Sequence, residues 1–264
     1  MRAFRLASPG HDPAIEIIPR PEPGPGELRI RVRACGLNFA DLLMIAGTYQ
    51  DRPDTPFTLG LEYAGEVEAL GPGTAGPAPG TRVAVFAGQG GLAEYACAPA
   101  ALCLPLPDTM DFPTAAAFQV AYGTSHLALT RRARLQPSET LLVLGAAGGV
   151  GLTAVEIGKR LGARVIACAR GPERLQIARD AGADEAIDSE SPDLRGQFKA
   201  LGGVDVAYDA VGGPAFHEAL RAMRPEGRML SIGFASGEVP QVPANLLLVK
   251  NVTVQGFYWG GYAR

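Results

Sequence analysis

The residue pattern predicts two parts, an irregular β-barrel followed by a doubly wound α/β domain built on a parallel sheet. Three observations carry that expectation. Up to about residue 120, short β-rich runs are separated by glycine and proline. Beyond it, fully apolar strands alternate with segments of helical period, as a parallel sheet covered on both faces requires. Early in that second part, a glycine-rich turn joins an apolar strand to an amphipathic helix.

In the first part the strand candidates are residues 28–34 (LRIRVRA), 65–70, 82–87 and 94–97. Residues 71–80 (GPGTAGPAPG) can form neither helix nor central strand, because proline removes backbone donors and glycine adds chain entropy. In the second part the strands are 140–144 (TLLVL), 164–169, 185–188, 204–208, 228–232 and 252–257. Helices are expected around 152–161 and 173–181. The predicted domains are 1–118 and 119–264. A chain of 264 residues, 47% of them hydrophobic, can bury two modest cores.

Composition argues against several functions. With 24 basic against 27 acidic residues, no basic stripe for a phosphate backbone is expected, and nucleic acid is not a predicted partner. No apolar run reaches the length of a membrane span. The opening MRAFRLASPG lacks the hydrophobic segment of a secretory signal. Cys35, Cys97, Cys103 and Cys168 are scattered and form no CxxC pair, so they read as reduced thiols of a cytoplasmic protein.

The strongest motif is residues 145–151 (GAAGGVG), a dinucleotide fingerprint with Ala146 in place of its first glycine, followed by Gly148 and Gly151. Small residues let the backbone approach a pyrophosphate, and the amides around Ala147, Gly148, Gly149 and Val150 then face the anion at a helix start. A tight turn without ligand is the competing reading. At the end of the second strand, where an acid would accept from the ribose hydroxyls of NAD, stands Ala169, followed by Arg170 and Arg174. Two guanidinium groups without an opposing carboxylate suit the 2′-phosphate of NADPH. Alternatively, both arginines only solvate a helix start.

Residues 34–41 (ACGLNFAD), 60–62 (GLE) with Gly65, 80–83 (GTRV) and 91–95 (GLAEY) resemble the N-terminal motifs of the medium-chain dehydrogenase/reductase family. Residues 145–151, 208–213 (YDAVGG) and 231–234 (SIGF) resemble its cofactor domain. The resemblance covers essentially the whole chain and is nearest to the zinc-free NADPH:quinone oxidoreductase (zeta-crystallin-like) group. It implies a GroES-like barrel, then a Rossmann sheet. It also implies that a C-terminal segment of the family is missing beyond Arg264, and that a homodimer forms through strand 251–257.

In zinc-dependent members of the family, metal ligands occupy the positions of Asn38, Leu61 and Val120, none of which supplies a thiolate or imidazole. His11, His126 and His217 lie far from any cysteine pair and read as surface or packing residues. No metal is therefore expected. Without a Lewis acid, the expected acceptor is a quinone or activated enone, whose accepted charge spreads onto oxygen. The alternatives are an enoyl thioester reductase or a non-catalytic dinucleotide-binding protein.

The resemblance also assigns residues. Asn38 would hydrogen-bond the nicotinamide ribose or the acceptor oxygen, unless it only orders its loop. Tyr49 would deliver a proton to an enolate, unless it is an amphipathic wall. Thr124 would sit beside the nicotinamide, with a plain helix N-cap as the other reading. Val211, Gly212, Gly233, Phe234 and Phe257 would hold the cofactor from strand ends. Asp41 reads as structural, and Ser189 stands where some relatives carry a tyrosine near the adenosine phosphate.

Overall fold

The computed structural model describes residues 1–262 and divides into two compact units, the first Met1–Val120 and the second beginning at Ala121. The first unit holds β1 (Arg2–Leu6), β2 (Ala14–Ile17), β3 (Glu27–Gly36), α1 (Phe39–Ile45) and β4 (Phe57–Thr58). It continues with β5 (Glu62–Leu70), β6 (Arg82–Phe86), β7 (Tyr95–Pro99), β8 (Cys103–Pro105) and α2 (Phe112–Ala116). Two antiparallel sheets result, ordered β7-β3-β5-β6-β8 and β2-β1-β4. Alternation along β3 points Leu28 and Ile30 inward, where they pack with Tyr63, Val67, Val83, Val85, Ala96 and Ala98.

β5 begins at Glu62 and not at 65. Glu62 pairs with Gly36 of β3 and with Phe86 of β6, so neighbours on both sides extend the strand through a charged residue. Cross-strand pairing here overrides intrinsic preference.

The helix α3 (Phe118–Leu127) contains the division between the units. The second unit then alternates β9 (Thr140–Leu144), α4 (Gly149–Arg160), β10 (Arg164–Ala169), α5 (Gly171–Asp180) and β11 (Glu185–Asp188). After these come α6 (Leu194–Ala200), β12 (Val204–Asp209), α7 (Gly213–Ala222), β13 (Met223–Ser231), α8 (Ala244–Lys250) and β14 (Thr253–Gly256). All pairings are parallel, in the order β11-β10-β9-β12-β13-β14. Every residue of β9 is buried. Leu141 and Val143 pack with α4 on one face, while Leu142 and Leu144 pack with Phe198 and Phe216 on the other. The fifth strand starts at Met223, five residues before the expected 228, because Val204 already pairs with Met223 across a register shift.

No helix among the described residues is long and apolar enough to cross a membrane.

The turn after β9 depends on Gly151. A Cβ there would overlap the carbonyl oxygen of Gly145, which is backbone and cannot swing aside. At Gly149 a Cβ would meet nothing within 4 Å. G151A should therefore lose about 1–3 kcal/mol of stability, as forced overpacking does. G149A should unfold within experimental error of the parent, and urea denaturation of both variants checks the contrast.

Candidate functional site

The sheet order reverses between β9 and β12, which makes their C-terminal ends the switch point at which doubly wound sheets bind ligands. The turn after β9 is fixed from below, since the N–H groups of Gly145 and Ala146 both donate to the Cys168 carbonyl at 3.0 and 3.1 Å. α4 starts from Gly148 with no side-chain cap, and its first amide with an intrahelical acceptor is Leu152, which donates to the Gly148 carbonyl at 2.8 Å. The Gly148 N–H is given to the Gly145 carbonyl at 2.9 Å, so the partial positive charge at this exposed helix start comes from the amides that follow it and not, as expected, from Gly148 as well. Ala147 and Val150 are half-buried, and the Val150 carbonyl accepts from Ser125 Oγ at 2.8 Å.

The neighbouring strand ends are drawn to the same place. Asp209 ends β12 fully buried, and its carboxylate accepts from the N–H groups of Val211 and Gly212, each at 2.9 Å. Burial pushes the Asp209 carboxyl above its usual range, and these amides oppose the shift. The Ile232 N–H donates to the Asp209 carbonyl at 2.8 Å, and Ala235 and Ser236 donate to the carbonyls of Ala210 and Val211. Val211 also lies beside the β9 turn, since a Cβ on Gly145 would come within 2.9 Å of its Cγ2. Val211, Gly212, Gly233 and the exposed Phe234 are thereby gathered at the switch point with residues 145–150.

Three sequence expectations meet a different geometry. Thr124 lies well inside α3 and is buried, so it is no N-cap; the helix begins six residues earlier because Phe118 already has helical backbone. Next to it, Ser125 is fully buried and bonds Thr153 Oγ1 at 2.8 Å and the Tyr208 hydroxyl at 2.9 Å. Phe257 turns into the core with Leu129, Leu141 and Tyr208 and stacks on Tyr262 at 5.5 Å, and the residue is only 7% exposed. Its side chain thus serves the core and offers little surface to a cofactor.

The third concerns charge. Arg170 forms the N-cap of α5, and its Nε stands 3.2 Å from Glu190 Oε1, with both side chains exposed. Arg174 is exposed in the first turn. Ala169 of β10 pairs in register with Asp188 of β11, whose Oδ1 accepts from the N–H groups of Gly171 and Glu190 at 3.3 and 3.0 Å. Two acids therefore flank the basic pair, delivered by the neighbouring strand. The in-register end of β11 is the signal that would have found them.

In the first unit, α1 starts at the N-cap Asn38. Asp41 is buried and reaches back, accepting from the Asn38 N–H through Oδ2 and from the Gly60 N–H through Oδ1, each at 3.0 Å. Asn38 Nδ2 donates to Glu62 Oε1 at 2.9 Å, while Glu62 Oε2 accepts from the Val120 N–H at 2.9 Å. The Gln119 N–H donates to the same carboxylate. Glu62 is 2% exposed, and burial raises its carboxyl against the pull of these donors. Burial also pushes the Cys35 thiol up to about 12, with Asp41 and Glu62 adding to the shift, so Cys35 is protonated and a poor nucleophile. Sequence reasoning took Glu62 only as part of a motif.

Leu61 is buried in the cluster of Leu6, Met44, Phe57 and Leu59, against which Tyr49 packs half-buried. Asn38 is the N-cap of α1, while Tyr49 follows its C-terminal end and its N–H donates to the Leu43 carbonyl at 3.2 Å. Among the described residues, no group of three or more histidine, cysteine, aspartate or glutamate side chains could hold a metal ion.

Comparison with known proteins fits this architecture. Residues 149–264 match the zinc-binding dehydrogenase family, and residues 24–108 match the alcohol dehydrogenase GroES-like domain. The chain is 42% identical over 251 residues to quinone oxidoreductase-like protein 2 of Bos taurus, spanning 94% of this chain and 72% of that protein. It resembles the quinone oxidoreductase of Thermus thermophilus, solved also in complex with NADPH, at 36% identity and a TM-score of 0.88. That match covers 100% of this chain and 82% of the other. The Escherichia coli quinone oxidoreductase complexed with NADPH matches at 29% identity and a TM-score of 0.91, over 99% and 82% of the two chains.

A GroES-like unit followed by a doubly wound sheet defines a two-domain class of dehydrogenases and reductases. Within that class the chain belongs to the medium-chain dehydrogenase/reductase family, among its quinone oxidoreductase-like members.

The Asp209 carboxylate organises the β12 turn, and its removal strands two amides. D209A should cost about 1–3 kcal/mol, the penalty for unpaired buried donors, measured as a lowered urea midpoint with an unchanged slope.

Proposed function

We propose that the chain is an NADPH-dependent oxidoreductase that passes hydride to a quinone or activated enone without a metal ion. The observation that carries this reading is the bare helix start at the switch point. Gly149 leaves open space above it, and no side chain occupies the amides of the first turn, so a pyrophosphate fits where any larger residue would intrude. The 2′-phosphate would be held by Arg170 and Arg174, with Arg170 exchanging its exposed Glu190 partner for a doubly charged one. An exposed pair of that kind is worth about 0–1 kcal/mol, so the exchange costs little. NADPH, when bound, supplies the hydride from its nicotinamide ring.

The chain's own residues then bind and orient. Thr124, Val211, Gly212, Gly233 and Phe234 are proposed to hold the nicotinamide half, with residues 119–264 as the cofactor domain and 1–118 as the substrate domain. Asn38, Leu61 and Val120 supply neither thiolate nor imidazole, which favours acceptors that take hydride unaided. The packing of Tyr49 against an apolar cluster favours a wall over a proton donor and hence a quinone over an enoyl thioester. We also propose a cytoplasmic homodimer joined through the outer edge of β14, the terminal strand of the six-stranded sheet.

Purified protein should oxidise NADPH faster than NADH with 9,10-phenanthrenequinone or 1,4-benzoquinone, and slower with crotonyl-CoA. R170A/R174A should lose at least tenfold in NADPH affinity, as expected for charge-assisted bonds, while NADH affinity stays within twofold. Tight NADPH binding without turnover on any acceptor would overturn the enzymatic reading in favour of a binding protein. Light scattering in dilute solution checks the dimer, and a mass near 27.5 kDa would count against it.

A further inference from the structure

The turn that opens α4 is poorly held by its own residues. Gly148 is its N-cap, Gly149 and Gly151 are two of its first three helical residues, and no side chain caps it. Glycine has the most backbone freedom to lose, so a turn this rich in it fixes itself weakly. The hold comes from α3, within the same unit. Ser125 is fully buried, and its Oγ donates to the Val150 carbonyl at 2.8 Å, a residue 25 positions away. Thr153, one turn further along α4, donates from Oγ1 to the Ala121 carbonyl of α3 at 3.0 Å and stands 2.8 Å from Ser125 Oγ.

The partners of these hydroxyls decide where each proton goes. The Tyr208 hydroxyl of β12 is fully buried, and Ser125 Oγ, at 2.9 Å, is its one partner among the described residues. Burial holds that phenol protonated, so it donates to Ser125. Thr153 has the Ala121 carbonyl for its own proton. Main-chain carbonyls only accept, so the Ser125 proton is left to Val150, the nearest carbonyl that the cluster reaches.

We propose that Ser125 is a positioning residue, whose hydroxyl latches the glycine-rich first turn of α4 to α3 and so aims the free amides of that turn at a pyrophosphate. The inference rests on the cofactor reading above and extends it to a side chain too deeply buried to touch a ligand. The Val150 carbonyl and the Gly151 N–H belong to one planar peptide group, so a bond that fixes the first also directs the second. Thr153 Oγ1, 3.3 Å from the Gly149 carbonyl, supports the Val150 N–H in the same way.

The test is calorimetric titration of the full chain alongside its thermal midpoint. S125A should raise the Kd about tenfold for NADPH and NADH alike, because both carry the pyrophosphate. Adenosine 2′-monophosphate, which has none, should bind S125A within about twofold of wild type. Y208F leaves the bond from Ser125 to Val150 in place, so it should lower the midpoint and keep both dinucleotide Kd values within about twofold.

An unchanged dinucleotide Kd in S125A, or an equal loss for adenosine 2′-monophosphate, would overturn the proposal. So would a Y208F variant that loses as much affinity as S125A, since general loosening of the core would then be the cause. If S125A does not fold, S125C carries the test, because its thiol fills the site and donates weakly; wild-type affinity in it overturns the proposal equally. Wild-type protein that binds neither nucleotide would sink the cofactor reading and this proposal together, whereas wild-type binding that S125A retains sinks the proposal alone.

Discussion

A strand covered on both faces by apolar side chains has nowhere along its length to hold a polar group, and β9 is such a strand from Thr140 to Leu144. Binding chemistry must then leave the sheet by its ends, where backbone amides and carbonyls run out of ladder partners. The turn after β9 is therefore built from backbone alone. Its own donors are spent on the Cys168 carbonyl, and the donors of the following helix are left outward. The order of the sheet places that turn beside the end of β12, where Val211 lies against Gly145.

Buried carboxylates shape the loops around both units. Asp209, Asp41 and Glu62 each lie below 10% exposure, and each accepts from at least two donors. Removing a charge from water costs several kcal/mol, so such groups persist only where hydrogen bonds return that cost. Each anion is held by amides that would otherwise be unpaired: at the β12 turn, at the start of α1 with the Gly60 turn, and at the start of α3.

Charge around the start of α5 follows a different logic. Arg170, Arg174 and Glu190 are exposed, and their mutual energies are small and screened by water. Asp188, by contrast, is committed to the backbone of Gly171 and Glu190, so it shapes the start of α5 more than it opposes a phosphate.

Much of this molecule was legible in the residue string, because it depends on local period and local composition. Apolar runs set the strands 140–144 and 164–169 at their observed bounds, and the small residues of 145–151 marked a turn in which Gly151 leaves no room for a side chain. Tertiary structure decided what depends on neighbours distant in sequence. Glu62 is a strand residue only because β3 and β6 flank it, and it meets Asn38 and Val120 only because the fold brings together positions 24 and 58 residues away. Phe257 looked like a strand-end ligand contact and became core, since burial is settled by what packs against a ring and not by where its strand stops. The acids beside Arg170 arrived through the register of β11. Periodicity records which face of an element is apolar, whereas the partner of a polar atom is fixed only when the elements meet.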